Sequence, residues 1–207
     1  MRTPPITAAS GAIHVMPRGL IGEGPDTQDS ALSSARNCIS AGTGKEQSET
    51  QLAWAHYIIA DILNDRGVYT EALVHSREAV SLYGSNAWYF EAEAEALNGL
   101  KRPAEAVTAS TQALRLSDGR YAMMHFTLGS AYFDEENWAL ALQSYKKAAE
   151  LDPHDASSAY NAALCDLRLG YREDAVNWFE EVLKRNPNYP DRDRIRRKSS
   201  ALSARLY

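Results

Sequence analysis

Residues 122–153 read AMMHFTLGSAYFDEENWALALQSYKKAAELDP, two blocks of apolar and small residues on either side of the polar corner Asp134, Glu135, Glu136 and Asn137. Apolar positions recurring every three to four residues predict a helix in each block and a turn between them. Gly129 and Ala141 place a small residue on each helix where the pair would cross, so that the backbones approach while larger neighbours interlock around them. Tyr132 and Tyr145 follow one helical turn along and fill the space beside the crossing. Pro153 lacks an amide hydrogen and ends the second helix. Helices of about a dozen residues are marginal alone in water, so the hairpin requires neighbours to pack on.

The same chain supplies them. Ala72, Ala106, Ala141 and Ala175 are separated by 34, 35 and 34 residues, a regular step that a chance bundle of amphipathic helices has no reason to keep. Sliding the template along the chain aligns Ala60, Leu63, Gly67, Tyr69 and Ala79 in a first unit. Phe90, Ala94, Leu97 and Ala113 fall in a second, and Ala163, Gly170, Phe179, Val182 and Pro187 in a fourth. The single extra residue is placed near Gly119–Tyr121, where Ser117, Asp118 and Gly119 already mark a turn. Four units result, at about 53–86, 87–121, 122–155 and 156–189, within a repeat region 48–189. Glu93 in the second unit and Ala162 and Asp166 in the fourth depart from the pattern, so looser packing is expected there.

Leu128, Gly129, Tyr132, Ala141, Tyr145, Ala148 and Pro153 follow the spacing L-G-x2-Y…A-x3-F…P of a 34-residue helix–turn–helix unit. In this the chain resembles the tetratricopeptide repeat family. The resemblance implies an all-α fold, an α-solenoid of paired antiparallel helices wound into a right-handed superhelix. It also implies a concave groove lined by the first helix of each unit, used to hold other proteins. Units of this kind are stable only when stacked, and the ends of the stack need polar caps.

The flanks fit that scheme. Residues 1–28 are rich in proline and glycine without sustained periodicity and are expected to form a flexible leader or linker. Ala31, Leu32, Ala35, Cys38 and Ile39 predict an amphipathic opening helix over 29–41, with a turn to 47 started by Gly42 and Gly44. Residues 190–207 are expected to form a closing cap helix with Ile195, Leu202 and Leu206 as its thin apolar edge.

Composition bounds the rest. With 44% hydrophobic and 24% charged residues among 207, the chain matches a soluble globular protein and no disordered or collagenous class. No apolar run nears the roughly 18 residues that span a bilayer, and no continuous apolar signal region opens the chain, so a cytoplasmic location is expected. Cys38 and Cys165 stand in different units without a CxxC spacing and are expected to be buried hydrophobes rather than a disulfide or metal ligands. The net charge of −5 conceals a tail, from Pro190 onward, of +4 on a body of −9. Arg192, Arg194, Arg196, Arg197 and Lys198 could meet phosphates, but a cap helix is usually solvated and the acidic body opposes approach, which disfavours nucleic acid and anionic membranes.

Chemistry is sparse. Gly42-Thr43-Gly44-Lys45 fails the phosphate-loop pattern, with Ile39 and Glu46 at its fixed positions, and Gly19, Gly22 and Gly24 follow no strand. Glu91, Glu93 and Glu95 at steps of two spread over different helix faces and make a poor metal or acid–base site. His56 and His125 occupy matching places and are expected in the core, with His75 and His154 elsewhere on the repeat. No catalytic residues, cofactor, metal or small-molecule substrate is expected.

Helical projection of the first helices puts Trp54, Tyr57, Asp61, Trp88, Glu91, Glu95, Met123, Phe126, Ser130, Phe133, Tyr160 and Asn161 on the inner wall. Aromatic rings give contact area at low entropic cost and carboxylates choose basic companions, so this wall suits a neutral to basic peptide or helix with apolar anchors. The competing expectation is that several of these aromatics seal unit against unit. A carboxylate-gripping groove of the kind the family uses for heat-shock chaperones is disfavoured. Tyr57, Asp61, Ala92, Met123 and Thr127 stand at its positions, or, one unit on, Glu91, Glu95, Thr127, Ser157 and Asn161. The function expected is a non-catalytic adaptor, co-chaperone or assembly scaffold, the alternative a regulatory or substrate-recruiting fragment of a larger enzyme. Self-association stays open.

Overall fold

A computed structural model describes residues 25–41 and 48–204 as ten α-helices. The glycine-rich turn at 42–47, most of the expected leader and Leu206 lie outside the described residues. Helix α1 (Pro25–Ala41) opens four residues before the expected start, inside the segment assigned to the leader. Proline at the first helical position accounts for this, since its missing N–H would have no helical partner there anyway. Then come α2 (Glu49–Asp65), α3 (Tyr69–Leu82), α4 (Ala87–Gly99), α5 (Pro103–Leu116), α6 (Ala122–Asp134), α7 (Trp138–Leu151), α8 (Ala156–Leu169), α9 (Arg172–Arg185) and α10 (Arg192–Ser203).

The helices pack in sequential pairs, α2 with α3, α4 with α5, α6 with α7 and α8 with α9, and each pair rests on the next. Ala72, Ala106, Ala141 and Ala175 are all fully buried in the second helices, and so are Ala60, Ala94 and Ala163 at the register of Gly129 in the first. These small residues are what let short helices cross closely enough to bury their larger neighbours. At Gly129 a Cβ would stand 2.9 Å from the ring of Tyr145, so the tyrosine lies directly on the glycine.

Every hairpin turns in the same way. Gly67, Lys101, Glu136 and Gly170 repeat at the 34, 35, 34 step, and all four have positive φ, from +56° to +86°. In each corner the next amide bonds five residues back, Val68 to Leu63, Arg102 to Leu97, Asn137 to Tyr132 and Tyr171 to Asp166, which closes the helix end with a left-handed residue. Two corners use glycine and two place a side chain where it is strained. Glu136→Gly is therefore expected to raise the unfolding free energy by about 0.5 kcal/mol, the relief being reduced by the greater freedom of glycine in the unfolded chain; urea unfolding measures it.

The extra residue sits in the α5–α6 connection, which runs from Ser117 to Tyr121, one residue longer than the α3–α4 and α7–α8 connections. Asp118 and Gly119 both take positive φ there. At the C-terminal end Arg185 of α9, nearly buried, donates from Nη1 to the carbonyls of Ala149, Asp152 and Asp155, so that one guanidinium ties the α7–α8 connection to the last pair. Helix α10 buries Ile195 against this pair, with Leu202 half-buried beside it.

A candidate peptide-binding face

The first helices form the inner layer. Helix α4 packs on both α2 and α6 in addition to its own partner, whereas among the described residues α3, α5 and α7 do not pack comparably on one another. Helices that touch on one side of a stack and separate on the other bend it toward the touching side, so α2, α4 and α6 line the inside of the curve.

Hydrogen bonds hold this layer together. Asn64 donates from Nδ2 to the Ala92 carbonyl on α4 at 2.9 Å, and Asn98, one repeat on, donates to the Thr127 carbonyl on α6 at the same distance. The Thr127 hydroxyl donates to Glu91 Oε1 at 3.1 Å. The ladder stops where Phe133 takes the asparagine register. There α8 joins the array through α7 instead of lying closely beside α6.

This layer divides the twelve projected residues. Tyr57, Asp61, Trp88 and Glu91 are buried, Glu91 with only 1% of its surface exposed. Tyr57 packs its ring on Trp54 and on Tyr89, and Trp88 packs on Tyr121, so these rings seal adjacent helices. They are corrected from wall to core. The projection assigns a direction to each side chain but not the next first helix, which covers that flank.

The other eight keep accessible surface. Trp54, Glu95, Phe126, Ser130, Phe133, Tyr160 and Asn161 are half-buried, and Met123 is exposed. Phe126 meets Tyr145 edge-on at 5.5 Å and Phe133 meets Trp138 at 4.8 Å, which fixes both rings. Tyr145 donates its hydroxyl hydrogen to Ser130 Oγ at 3.1 Å, and burial pushes the Tyr145 hydroxyl far above its ordinary pKa. Tyr160 packs on Phe179 and Tyr189 and accepts a hydrogen bond from Arg194 at 2.5 Å, so α10 overlies that end of the row.

Two features were not foreseen. His56 and His125, expected in the core, are both only half-buried: His56 pairs with His75 across the first hairpin, and His125 bonds the Gly119 carbonyl at 3.0 Å. On the outer side, Arg77, Phe90, Glu93, Leu97, Glu105 and Ala109 line an open furrow of ≈420 Å³ between α3 and α5. Arg77 bridges Glu93 and Glu105 across it, each at 3.0 Å. Glu93 thereby gains a partner at a position where the repeat pattern wants leucine.

Among the described residues no group of three or more His, Cys, Asp or Glu side chains is placed to hold a metal, and no helix is long and apolar enough to cross a membrane. Cys165 is buried and its thiol is pushed up to about 12 by burial, with nearby Asp166 adding to the rise.

Two tetratricopeptide repeat family models match residues 91–156 and 132–198, together more than half of the chain. The chain is a tetratricopeptide repeat protein. It is 28% identical over 120 residues to human tetratricopeptide repeat protein 13, an alignment covering 58% of this chain and 14% of that much longer protein. The fold is similar to TTC0263, a thermophilic tetratricopeptide protein of Thermus thermophilus (TM-score 0.64, 19% identity, 86% of this chain and 92% of that one). It is also similar to YrrB, described as a tetratricopeptide protein with an unusual peptide-binding site (TM-score 0.62, 20% identity, 79% of this chain and 80% of that one). Domains of this family are generally protein–protein interaction modules.

Proposed function

We propose that this repeat array is a non-catalytic adaptor or assembly scaffold that takes a peptide or helix of neutral to basic character along the inner face of α2, α4 and α6. The observation that carries it is the row of partly exposed rings Trp54, Phe126 and Phe133, each held against a neighbouring ring, with exposed Met123 and half-buried Glu95 among them. Rings already held by packing lose little freedom when a partner covers them. The accessible carboxylate on this layer, Glu95, favours lysine or arginine in the partner and disfavours acidic segments. The peptide-binding site described for YrrB agrees in kind with this reading. The overlying α10 makes Tyr160 the end of the row, so the partner is expected to run from α2 toward α6.

A library of random 12-residue peptides selected on the full chain is expected to return sequences with apolar anchors and excess lysine or arginine. Phe126→Ala should weaken the selected peptides about tenfold or more, as loss of a central aromatic anchor does, while circular dichroism stays unchanged. Acidic selected peptides, or binding unaltered by Phe126→Ala, would remove this reading.

A further inference from the structure

His56 on α2 and His75 on α3 bring their Nδ1 atoms to 2.9 Å, with ring centroids 5.1 Å apart and planes tilted by 38°. Both rings are half-buried between the two helices of the first hairpin. A contact between two ring nitrogens is a hydrogen bond only when one carries a proton and the other presents a lone pair. One extra proton is tolerated, because it goes to the far nitrogen of the donor ring and leaves the bond in place. A second can only take the acceptor's Nδ1, and two N–H groups then face each other with no acceptor between them.

The charged groups acting on the pair come from both neighbouring elements. Arg36 of α1 opposes a charge on His75; Glu78 of α3 favours one on either ring, and Glu71 of α3 favours one on His75. Burial outweighs the carboxylates and holds both imidazoles below their ordinary value, with His56 and Arg36 adding to the depression at His75. The sign follows. With folded values depressed, the contribution to stability is complete above the ordinary histidine pKa of about 6.5 and is lost as pH falls through the folded values.

The pair lies in the first of the four hairpins, which has the single helix α1 on one side and only one further hairpin, through α4, on the other. We propose that His56 and His75 form an acid-sensitive latch: the second proton breaks the α2–α3 bond and loosens the first hairpin while the later units stay stacked. Trp54 stands on the same helix, so loosening α2 dismantles the start of the inner face. This inference rests on the imidazole geometry and not on what the inner face holds.

The test is amide hydrogen exchange on the full chain, expressed as protection factors, at about pH 7.5 and pH 5, conditions that bracket histidine titration. In the wild type, protection in α2 and α3 is expected to fall about tenfold or more relative to α6–α9, the equivalent of one pKa unit of differential protonation. In His75→Gln, whose amide can still bond His56 but cannot charge, the relative fall should largely vanish. A uniform fall over all units, or an equal fall in His75→Gln, would overturn the latch. Nitrogen-15 titration of the wild-type rings gives a second reading that needs no variant. The expected result is two separated steps, with the second below the ordinary histidine range; two independent ordinary titrations would overturn it.

Discussion

Gly99→Ala is expected to lower the unfolding free energy by about 2 kcal/mol, in the range for forcing a methyl group into a filled site. Gly99 ends α4, and a Cβ there would stand 2.3–2.4 Å from Cγ, Cδ1 and Cδ2 of Tyr69, the first residue of α3. Those atoms form the root of the ring, which cannot swing aside as the tip of a lysine could. Relief requires α3 to shift against α4, and that contact joins the first hairpin to the second. Alanine's better helix propensity offsets only about 1 kcal/mol. In a Tyr69→Ala background the clash is absent, so Gly99→Ala should there be neutral or stabilising by up to about 1 kcal/mol. Urea denaturation of the four proteins closes the cycle. Equal effects of Gly99→Ala in both backgrounds would show that the ring and the glycine are not coupled.

Asp166→Leu should act in the opposite direction, raising stability at neutral pH by about 2 kcal/mol. Asp166 is fully buried in α8, and neither carboxylate oxygen has a hydrogen-bond partner; burying such a group costs about 1–3 kcal/mol by mutational measures. Tyrosine fills the matching position in the third hairpin, at Tyr132, so the site accepts an apolar body. Burial pushes the Asp166 carboxyl up, Lys146 opposes the shift and Asp174 adds to it. A carboxyl raised on folding costs nothing below its unfolded pKa of about 3.9 and its full amount above the folded value. The advantage of Asp166→Leu over the wild type should therefore shrink as pH is lowered toward 4. The histidine contribution is common to both proteins and cancels in the difference. A destabilised variant, or a difference that does not vary with pH, would mean that the carboxylate is supported in a way the geometry does not display.

The repeat was legible because its cause is steric and local. A crossing of two short helices needs small residues at fixed positions, and Ala72, Ala106, Ala141 and Ala175 state that need at a constant step. Gly67 and Gly170 marked two corners for the same reason. Lys101 and Glu136 hid the other two, because the left-handed conformation there is imposed by the packed hairpin and not by the residue. The inner face was legible only in part. Spacing gives the direction of a side chain on its own helix, whereas Tyr57 and Glu91 are met by the next first helix, at Tyr89 and Thr127, and Trp88 by Tyr121 of the α5–α6 connection, and Asp61 is buried with them. One signal could have revealed this: Asn64 and Asn98 recur at the repeat step, and a polar side chain repeated in a first helix is expected where it must reach a neighbour's backbone. The His56–His75 pair had no such signal, since the two rings meet across helices and His75 has no histidine at its register in the other hairpins.

The most direct test is to titrate a selected basic peptide into the full chain and follow the Met123 methyl and the four tryptophan indole resonances by NMR. Met123 is exposed on α6 and Met124, its neighbour, is fully buried. The expected result is a saturable shift of Met123 and Trp54, with Met124 and Trp178 nearly still. Shifts centred on Trp178 with Met123 and Trp54 unmoved would place the partner elsewhere and contradict an inner face built to hold it.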